Sequence, residues 1–303
     1  MDPSQGRRMN QPRPTLTTLV REHLSRFIEQ HSGVFLGPEK GYLLEHRLVP
    51  IINQYKLAGF EGLREGLIDR QDPELREKVL EAIVTHETAF FRDKHPYETL
   101  RHTILTRLAQ RWQATRETLG HRPTPIRIWC AACSTGQEPW SVAMAIHEWI
   151  PLSGVSGLGL GDFAILATDL SSKVLDHARQ GIYTEADLAR GMTPGQISRF
   201  LNRQPGAKPT FQMKAELRSM VEFRKANLRE GFKSLGLFDL ILCRNVLIYF
   251  ADPLKRQICE GFFQSLLPGG FLMLGAAESL FGISELFQTD RQGETLVYCR
   301  PAN

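Results

Sequence analysis

Residues 126–139 read Ile126-Arg127-Ile128-Trp129-Cys130-Ala131-Ala132-Cys133-Ser134-Thr135-Gly136-Gln137-Glu138-Pro139, a short apolar run that ends in small residues and then turns polar. The run is expected to be a strand, followed by a loop and a helix from about Pro139 to Trp149. The same grammar recurs twice. Phe163-Ala164-Ile165-Leu166-Ala167-Thr168-Asp169 ends in an acid before a helix at Ser172–Gln180, and Phe238-Asp239-Leu240-Ile241-Leu242-Cys243 precedes one at Asp252–Leu267. Strands alternating with helices imply crossover units and a mainly parallel sheet. The runs at 270–275 and 295–299 are expected to pair as late strands.

Ahead of Pro123-Thr124-Pro125 the pattern is helical. Leu16, Leu19, Val20, His23, Leu24, Phe27 and Ile28 recur at helical spacing with Thr15 placed to cap, and Leu44, Leu48, Ile51, Ile52 and Tyr55 form a second stripe. Asp72-Pro73 is a helix start with Pro at the first helical position. The fold class is therefore α/β preceded by an all-α N-terminal domain. The boundaries are expected at 1–14 for a flexible N-terminus, 15–80 for the helical domain and 81–303 for the rest. A small antiparallel β insert is expected at about 203–224.

Composition bounds the function. The chain has 303 residues, 42% of them apolar, and a formal charge of +4. It has no run of about 18 apolar residues, so no membrane insertion is expected. Residues 1–14 carry Arg7, Arg8 and Arg13 without the apolar centre of a signal peptide, which points to a cytoplasmic address. Five cysteines, an odd number, argue against a disulfide framework. The basic excess is local: residues 92–127 hold eight Lys+Arg against three Asp+Glu.

In open parallel sheets, ligands bind beyond the carboxyl ends of the strands. Gly136 would let a backbone approach a ligand there, Glu138 could accept from an ammonium, and Asp169 stands where an acid would hold ribose hydroxyls. No G-x-G-x-x-G follows the first strand and no phosphate-loop motif occurs, which removes the main support for a dinucleotide or triphosphate. Cys130-Ala131-Ala132-Cys133 mimics a redox pair, but Cys130 is expected to end a buried strand, and no second cysteine pair completes a zinc site. No metal is expected.

Several stretches together carry a family resemblance. They are Thr88-x-Phe90-Phe91-Arg92, Cys133-Ser134-Thr135-Gly136-Gln137-Glu138-Pro139, Ala167-Thr168-Asp169, Gly181-Ile182-Tyr183 and Asn227-Leu228. The stretch Phe238-Asp239-x-Ile241-x-Cys243-Arg244-Asn245-Val246-x-Ile248-Tyr249-Phe250, then Leu267-Pro268-Gly269-Gly270 and Gly275-x-x-Glu278-Ser279-Leu280, continue it. In order and spacing, over roughly residues 15–300, they resemble the CheR chemotaxis methyltransferases.

The resemblance implies a Rossmann-like domain that uses S-adenosyl-L-methionine to methylate glutamate side chains on cytoplasmic chemoreceptor helices, leaving methyl esters and S-adenosyl-L-homocysteine. By similarity Thr88, Arg92 and Glu138 surround the methionine part of the cofactor and Asp169 holds the ribose. Asn227, Leu228, Arg244 and Asn245 lie around the adenosine, and Arg92 and Tyr249 stand nearest the transferred methyl. His86 occupies a cofactor position where asparagine is common, and Gln137 stands where a second glutamate is frequent. The insert, Thr210-Phe211-Gln212-Met213-Lys214-Ala215-Glu216-Leu217, lacks the glycine and arginine richness of members that grip a receptor's C-terminal tether, which weighs against tether binding. The basic stretch is the expected docking surface, and a monomer is expected. A nucleic-acid methyltransferase is the rival reading, but no aromatic-basic interleaving supports it. A cofactor-binding signalling module without turnover is the second rival.

Overall fold

The computed structural model describes residues 14–302, so residues 1–13 of the expected N-terminal segment, and Asn303, lie outside the described residues. The chain divides between Thr85 and His86 into two compact units.

The first unit is helical. Helix Thr18–Ser32 is capped by Thr17, whose hydroxyl accepts from Val20 N at 3.4 Å; Thr15 does not cap it. Helices Gly41–Gln54, Gly59–Arg64 and Pro73–Ile83 follow, the last capped by Asp72, which accepts from Glu74 N and Leu75 N at 3.0 Å each. Val20, Leu24, Ile28, Leu44, Leu48, Phe60, Leu63 and Val79 are buried, so the apolar stripes of the sequence meet in one core.

Among the described residues, the second unit contains ten strands. They are β1 (Ile126–Ala131), β2 (Phe163–Asp169), β3 (Ile182–Thr184), β4 (Leu201–Gln204), β5 (Thr210–Met213), β6 (Val221–Lys225), β7 (Phe238–Cys243), β8 (Leu266–Leu274), β9 (Gln288–Gln292) and β10 (Thr295–Cys299). Seven form one sheet in the order β6-β2-β1-β7-β8-β10-β9. The strands from β6 to β8 are parallel, while β10 runs antiparallel to both β8 and β9. The chain winds outward from β1 to β2 and β6, then returns to the other side of β1 as β7. That reversal between β1 and β7 opens a crevice beyond their carboxyl ends.

Both faces of the sheet are covered. Ile128, Cys130, Ile165 and Leu240 belong to one buried cluster, and their neighbours Trp129, Ala131, Leu166 and Ile241 to another. This alternation explains why the strands read as continuous apolar runs. Trp129 packs against Phe232, Phe238 and Phe262 and donates its indole N–H to Thr168 Oγ1 at 2.9 Å.

The insert differs from its sequence outline. Its three-stranded antiparallel sheet has the order β3-β5-β4, drawing in Ile182–Thr184, whereas Val221–Lys225 leaves it and pairs in parallel with β2. Alternate exposure of β6 made it resemble a half-covered antiparallel strand; it lies at an edge of the large sheet, where one side is open.

The cations of the basic stretch make specific internal contacts. Arg101 pairs with Glu148 at 3.4 Å, Arg107 with Asp290 at 2.7 Å, Arg111 with Asp239, and Arg122 with the buried Asp162. Arg116 donates to Ser156 O at 2.9 Å, and Arg127 to Leu235 O and Leu237 O at 2.9 and 3.0 Å. Burial raises the pKa of Asp162, but Arg122 and the Gly159 N–H outweigh it and hold that carboxyl below its usual range. These contacts tie helix Leu105–Leu119 and its flanks to neighbouring segments, while the Arg107 and Arg122 side chains remain 46% and 62% exposed.

Candidate active site

The loop after β1 carries an unusual backbone. Ala132 and Ser134 have φ of +59° and +52°, and Gly136, at +95°, caps helix Gln137–Trp149. A Cβ at Gly136 would come 2.8 Å from Ala178 Cβ and 3.0 Å from the Tyr183 hydroxyl. Protein atoms, not ligand space, therefore require glycine there. The loop is fixed from three directions. Cys133 N donates to Thr168 O at 2.8 Å, the Ser134 hydroxyl to His86 O at 2.9 Å, and the Tyr183 hydroxyl to Thr135 O at 2.6 Å.

Asp169, at the end of β2, belongs to the same assembly. It is buried, with Oδ2 accepting from Ser134 N at 2.8 Å and Oδ1 from Ser171 N at 3.0 Å. Desolvation raises its pKa, and these N–H groups and the nearby His86 oppose the rise. Its backbone oxygen accepts from Ala226 N at 3.0 Å, which brings the turn carrying Asn227 and Leu228 to the β2 end. Within that turn Asn227 Oδ1 accepts from Arg229 N and Nδ2 donates to Glu230, both at 3.1 Å, while Leu228 packs on the second core cluster.

Arg92 and Thr88 are half-buried in the segment leading into helix His95–Thr99. Phe91, Asp93 and Lys94 have φ of +47°, +67° and +54°, conformations that cost about 1–3 kcal/mol each and persist only where surrounding contacts impose them. Those contacts are present. Phe91 N donates to the Ser141 hydroxyl at 2.9 Å, and Arg244 Nη2 donates to Arg92 O at 3.0 Å and to Asp93 Oδ2 at 2.8 Å. Arg92 Nη1 donates to Glu87 O at 3.2 Å.

Arg244 follows β7 and is buried, with its guanidinium 5.6 Å from the Tyr97 ring centroid. Its Nη1 lies 3.5 Å from Glu138 Oε2, so one guanidinium joins the Arg92 segment, the β7 end and the helix after β1. Desolvation pushes the Glu138 carboxyl up to about 7; Arg244 and Arg92 act against the rise, and Glu278 adds to it.

Glu278 organises the remaining loop. Its Oε2 accepts from Asn245 N at 2.6 Å and Gly275 N at 2.7 Å, and its Oε1 from Val246 N at 2.8 Å and Ile248 N at 3.3 Å. One carboxylate thus clamps the ends of β7 and β8, holds Asn245 at φ +59°, and fixes the turn Leu247–Tyr249 that carries the half-buried Tyr249. The Asn245 Oδ1 atom is buried without a protein hydrogen-bond partner.

The structure therefore gathers Arg92, Glu138, Arg244, Asn245 and Tyr249 around the β7 end, and His86, Gly136 and Asp169 around the β1 and β2 ends. Asn227 and Leu228 attach to the second group through Ala226, with the Asn227 amide engaged in its own turn. Sequence reasoning did not single out Ser134, Tyr183 or Glu278 as site-building residues. The available signal for Glu278 was its place three residues after Gly275 at a strand end, where several turn N–H groups need an acceptor. The thiols of Cys130 and Cys133 are pushed well above their usual value by burial, opposite to a reactive redox pair.

Residues 86–295 match the SAM-binding domain of CheR methyltransferase, and residues 22–84 match its all-alpha domain. The chain is 36% identical over 284 residues to a chemotaxis protein methyltransferase of Vibrio anguillarum, spanning 94% of this chain and 98% of that protein. It is 38% identical over 273 residues to chemotaxis protein methyltransferase 1 of Pseudomonas aeruginosa, spanning 90% of this chain and 94% of that one.

Proposed function

This chain belongs to the CheR methyltransferase family, and from that premise we propose that it methylates glutamate side-chain carboxylates on the cytoplasmic helices of chemoreceptors. The products are glutamate methyl esters and S-adenosyl-L-homocysteine. The observation that supports this reading best is the convergence of Arg92, Glu138 and the Tyr249 turn at the crevice between β1 and β7, joined through Arg244 and Glu278.

The residues present fit S-adenosyl-L-methionine. The buried Asn245 Oδ1 is a free acceptor for a polar group, and Glu138 is a carboxylate suited to a cation. In this reading Thr88, Arg92 and Glu138 hold the methionine part, Asp169 the ribose, and Asn227, Leu228, Arg244 and Asn245 the adenosine, with His86 beside them. When bound, the cofactor supplies an electrophilic methyl on a sulfonium.

A glutamate acceptor has a reference pKa of about 4.3, so it is already ionised at neutral pH and needs no general base. That accounts for a mechanism without a catalytic histidine. Arg92 and the Tyr249 hydroxyl then serve to orient the acceptor carboxylate. An arginine that neutralised it strongly would dull its nucleophilicity, and the Arg92 guanidinium already donates to Glu87 O. The protein's chief contribution is to hold the reacting groups together with water excluded, which supplies much of the needed acceleration.

The test is to incubate the protein with radiolabelled S-adenosyl-L-methionine and a receptor cytoplasmic fragment, then measure methanol released by mild base. Base-labile label supports the ester. Label stable to base would overturn it, and cofactor binding with no label would favour a module without turnover.

A further inference from the structure

Three exposed groups lie on segments next to the Tyr249 turn in the chain or joined to it through Glu278, and none is used by the chemistry above. Ile248 precedes Tyr249 and is 48% exposed, while Phe281 is 96% exposed. Arg256, exposed on helix Asp252–Ser265, donates to Ile283 O at 3.5 Å, which sets a cation beside the loop that carries Phe281.

These side chains project from fixed backbone. Glu278 accepts from Ile248 N. Phe281 follows the buried Leu280, whose N–H donates to the Tyr298 hydroxyl at 3.1 Å and whose oxygen accepts from Ile283 N at 2.9 Å. The Phe281 N–H donates to the Ser279 hydroxyl at 3.1 Å. A fully exposed phenylalanine on an anchored turn is poorly hydrated and loses little entropy when covered, which is the profile of a binding anchor.

We propose that Ile248, Phe281 and Arg256 form the docking edge for the methyl-accepting helix, an inference that rests on the functional reading above. An acceptor carboxylate that reaches Tyr249 must lie on a helix passing over the carboxyl ends of β7 and β8, where this edge stands. A helix that presents glutamates to an enzyme while packing in a receptor bundle is amphipathic, with an apolar stripe beside its acidic positions. Phe281 and Ile248 fit that stripe, as in helix recognition through spaced apolar anchors. In this arrangement Arg256 would meet the acidic flank. In the helix at 105–119, Arg107 and Arg111 are already paired with Asp290 and Asp239.

The experiment measures methyl transfer to a receptor cytoplasmic fragment, and binding of that fragment by co-sedimentation, for the wild type and Phe281→Ala, Phe281→Asp, Ile248→Ala and Arg256→Glu. Leu152→Ala, at a site 83% exposed, is the control. The expected result for Phe281→Ala is a KM for the fragment raised about tenfold, the loss typical of an interface anchor, with unchanged kcat and unchanged affinity for S-adenosyl-L-methionine. Phe281→Asp and Arg256→Glu should weaken fragment binding further, while the control matches the wild type. Unchanged KM and binding in the Phe281 variants, with an active wild type, would overturn the docking edge alone. If the wild type binds the fragment but forms no base-labile label, the ester reading fails, and loss of binding in Phe281→Asp still supports the edge. Absence of fragment binding by the wild type overturns the edge.

Discussion

Arg244 Nη1 stands 3.5 Å from Glu138 Oε2, an ion pair in which the guanidinium is buried and the carboxyl titrates at about 7. The sign follows from which state holds the proton. Between about pH 4.5 and 7 the folded chain retains a proton on Glu138 that the unfolded chain releases, so this group lowers stability as pH rises through that window. Its contribution is on the order of 3 kcal/mol above pH 7. Urea unfolding of the wild type and Glu138→Gln should show a smaller loss of stability with rising pH in the variant. A cationic cofactor favours the ionised carboxylate, so affinity measured by calorimetry should fall below about pH 7 in the wild type and stay weak and flat in the variant.

Removing the Glu278 carboxylate strands four backbone donors at two strand ends. Glu278→Ala should lower unfolding stability by about 2–4 kcal/mol, given the strength of hydrogen bonds to charged acceptors. Turnover should fall more steeply than cofactor affinity, because the Tyr249 turn loses its tether. Glu278→Gln keeps one acceptor oxygen and should recover part of both. Equal stability of all three proteins in a denaturant titration would contradict this role.

Arg92→Ala and Tyr249→Phe should each reduce kcat by about 10–100-fold, the scale of a misplaced reacting group. The dissociation constant for S-adenosyl-L-methionine should change by much less. Parallel calorimetry and single-turnover assays check the split; equal losses in both quantities would mean that these residues mainly hold the cofactor.

Gly191 packs directly on the Arg92 segment: a Cβ there would come 1.8 Å from Phe90 O. Gly191→Ala must push that backbone aside and should cost about 1–3 kcal/mol, as overpacking does. Activity should fall with it. Gly195→Ala, whose new carbon would meet nothing closer than 4.0 Å, is the comparison. Matching thermal midpoints in the two variants would refute the claim.

The sheet was legible because β1, β2 and β7 are covered on both faces and therefore read as unbroken apolar runs. Asp72 announced its helix through a side chain that acts locally. Elements whose identity depends on distant neighbours were not readable in this way. Val221–Lys225 alternates like an antiparallel strand and gains its parallel partner only when β2 lies beside it. The pairing of Arg107 and Arg111 was equally hidden, because their acids, Asp290 and Asp239, lie far along the chain. The site shows the same division. Glu138 stood out at a strand end, and Arg92 and Tyr249 took their expected roles from the family resemblance; Tyr183 and Glu278 lie in stretches of that resemblance too, but their grip on backbone groups is visible only in the fold.

Six of the eight non-glycine residues with left-handed backbone among the described residues, Phe91, Asp93, Lys94, Ala132, Ser134 and Asn245, lie in the three loops of the crevice. Heat resistance and activity therefore pull in opposite directions at these positions. Selection for thermal endurance alone would favour glycine or relaxed geometry there, and would blunt the enzyme while the rest of the sheet grew sturdier. Engineering for durability belongs instead away from the crevice, for example at Lys56 and Gln71, the two described left-handed non-glycine residues of the helical unit.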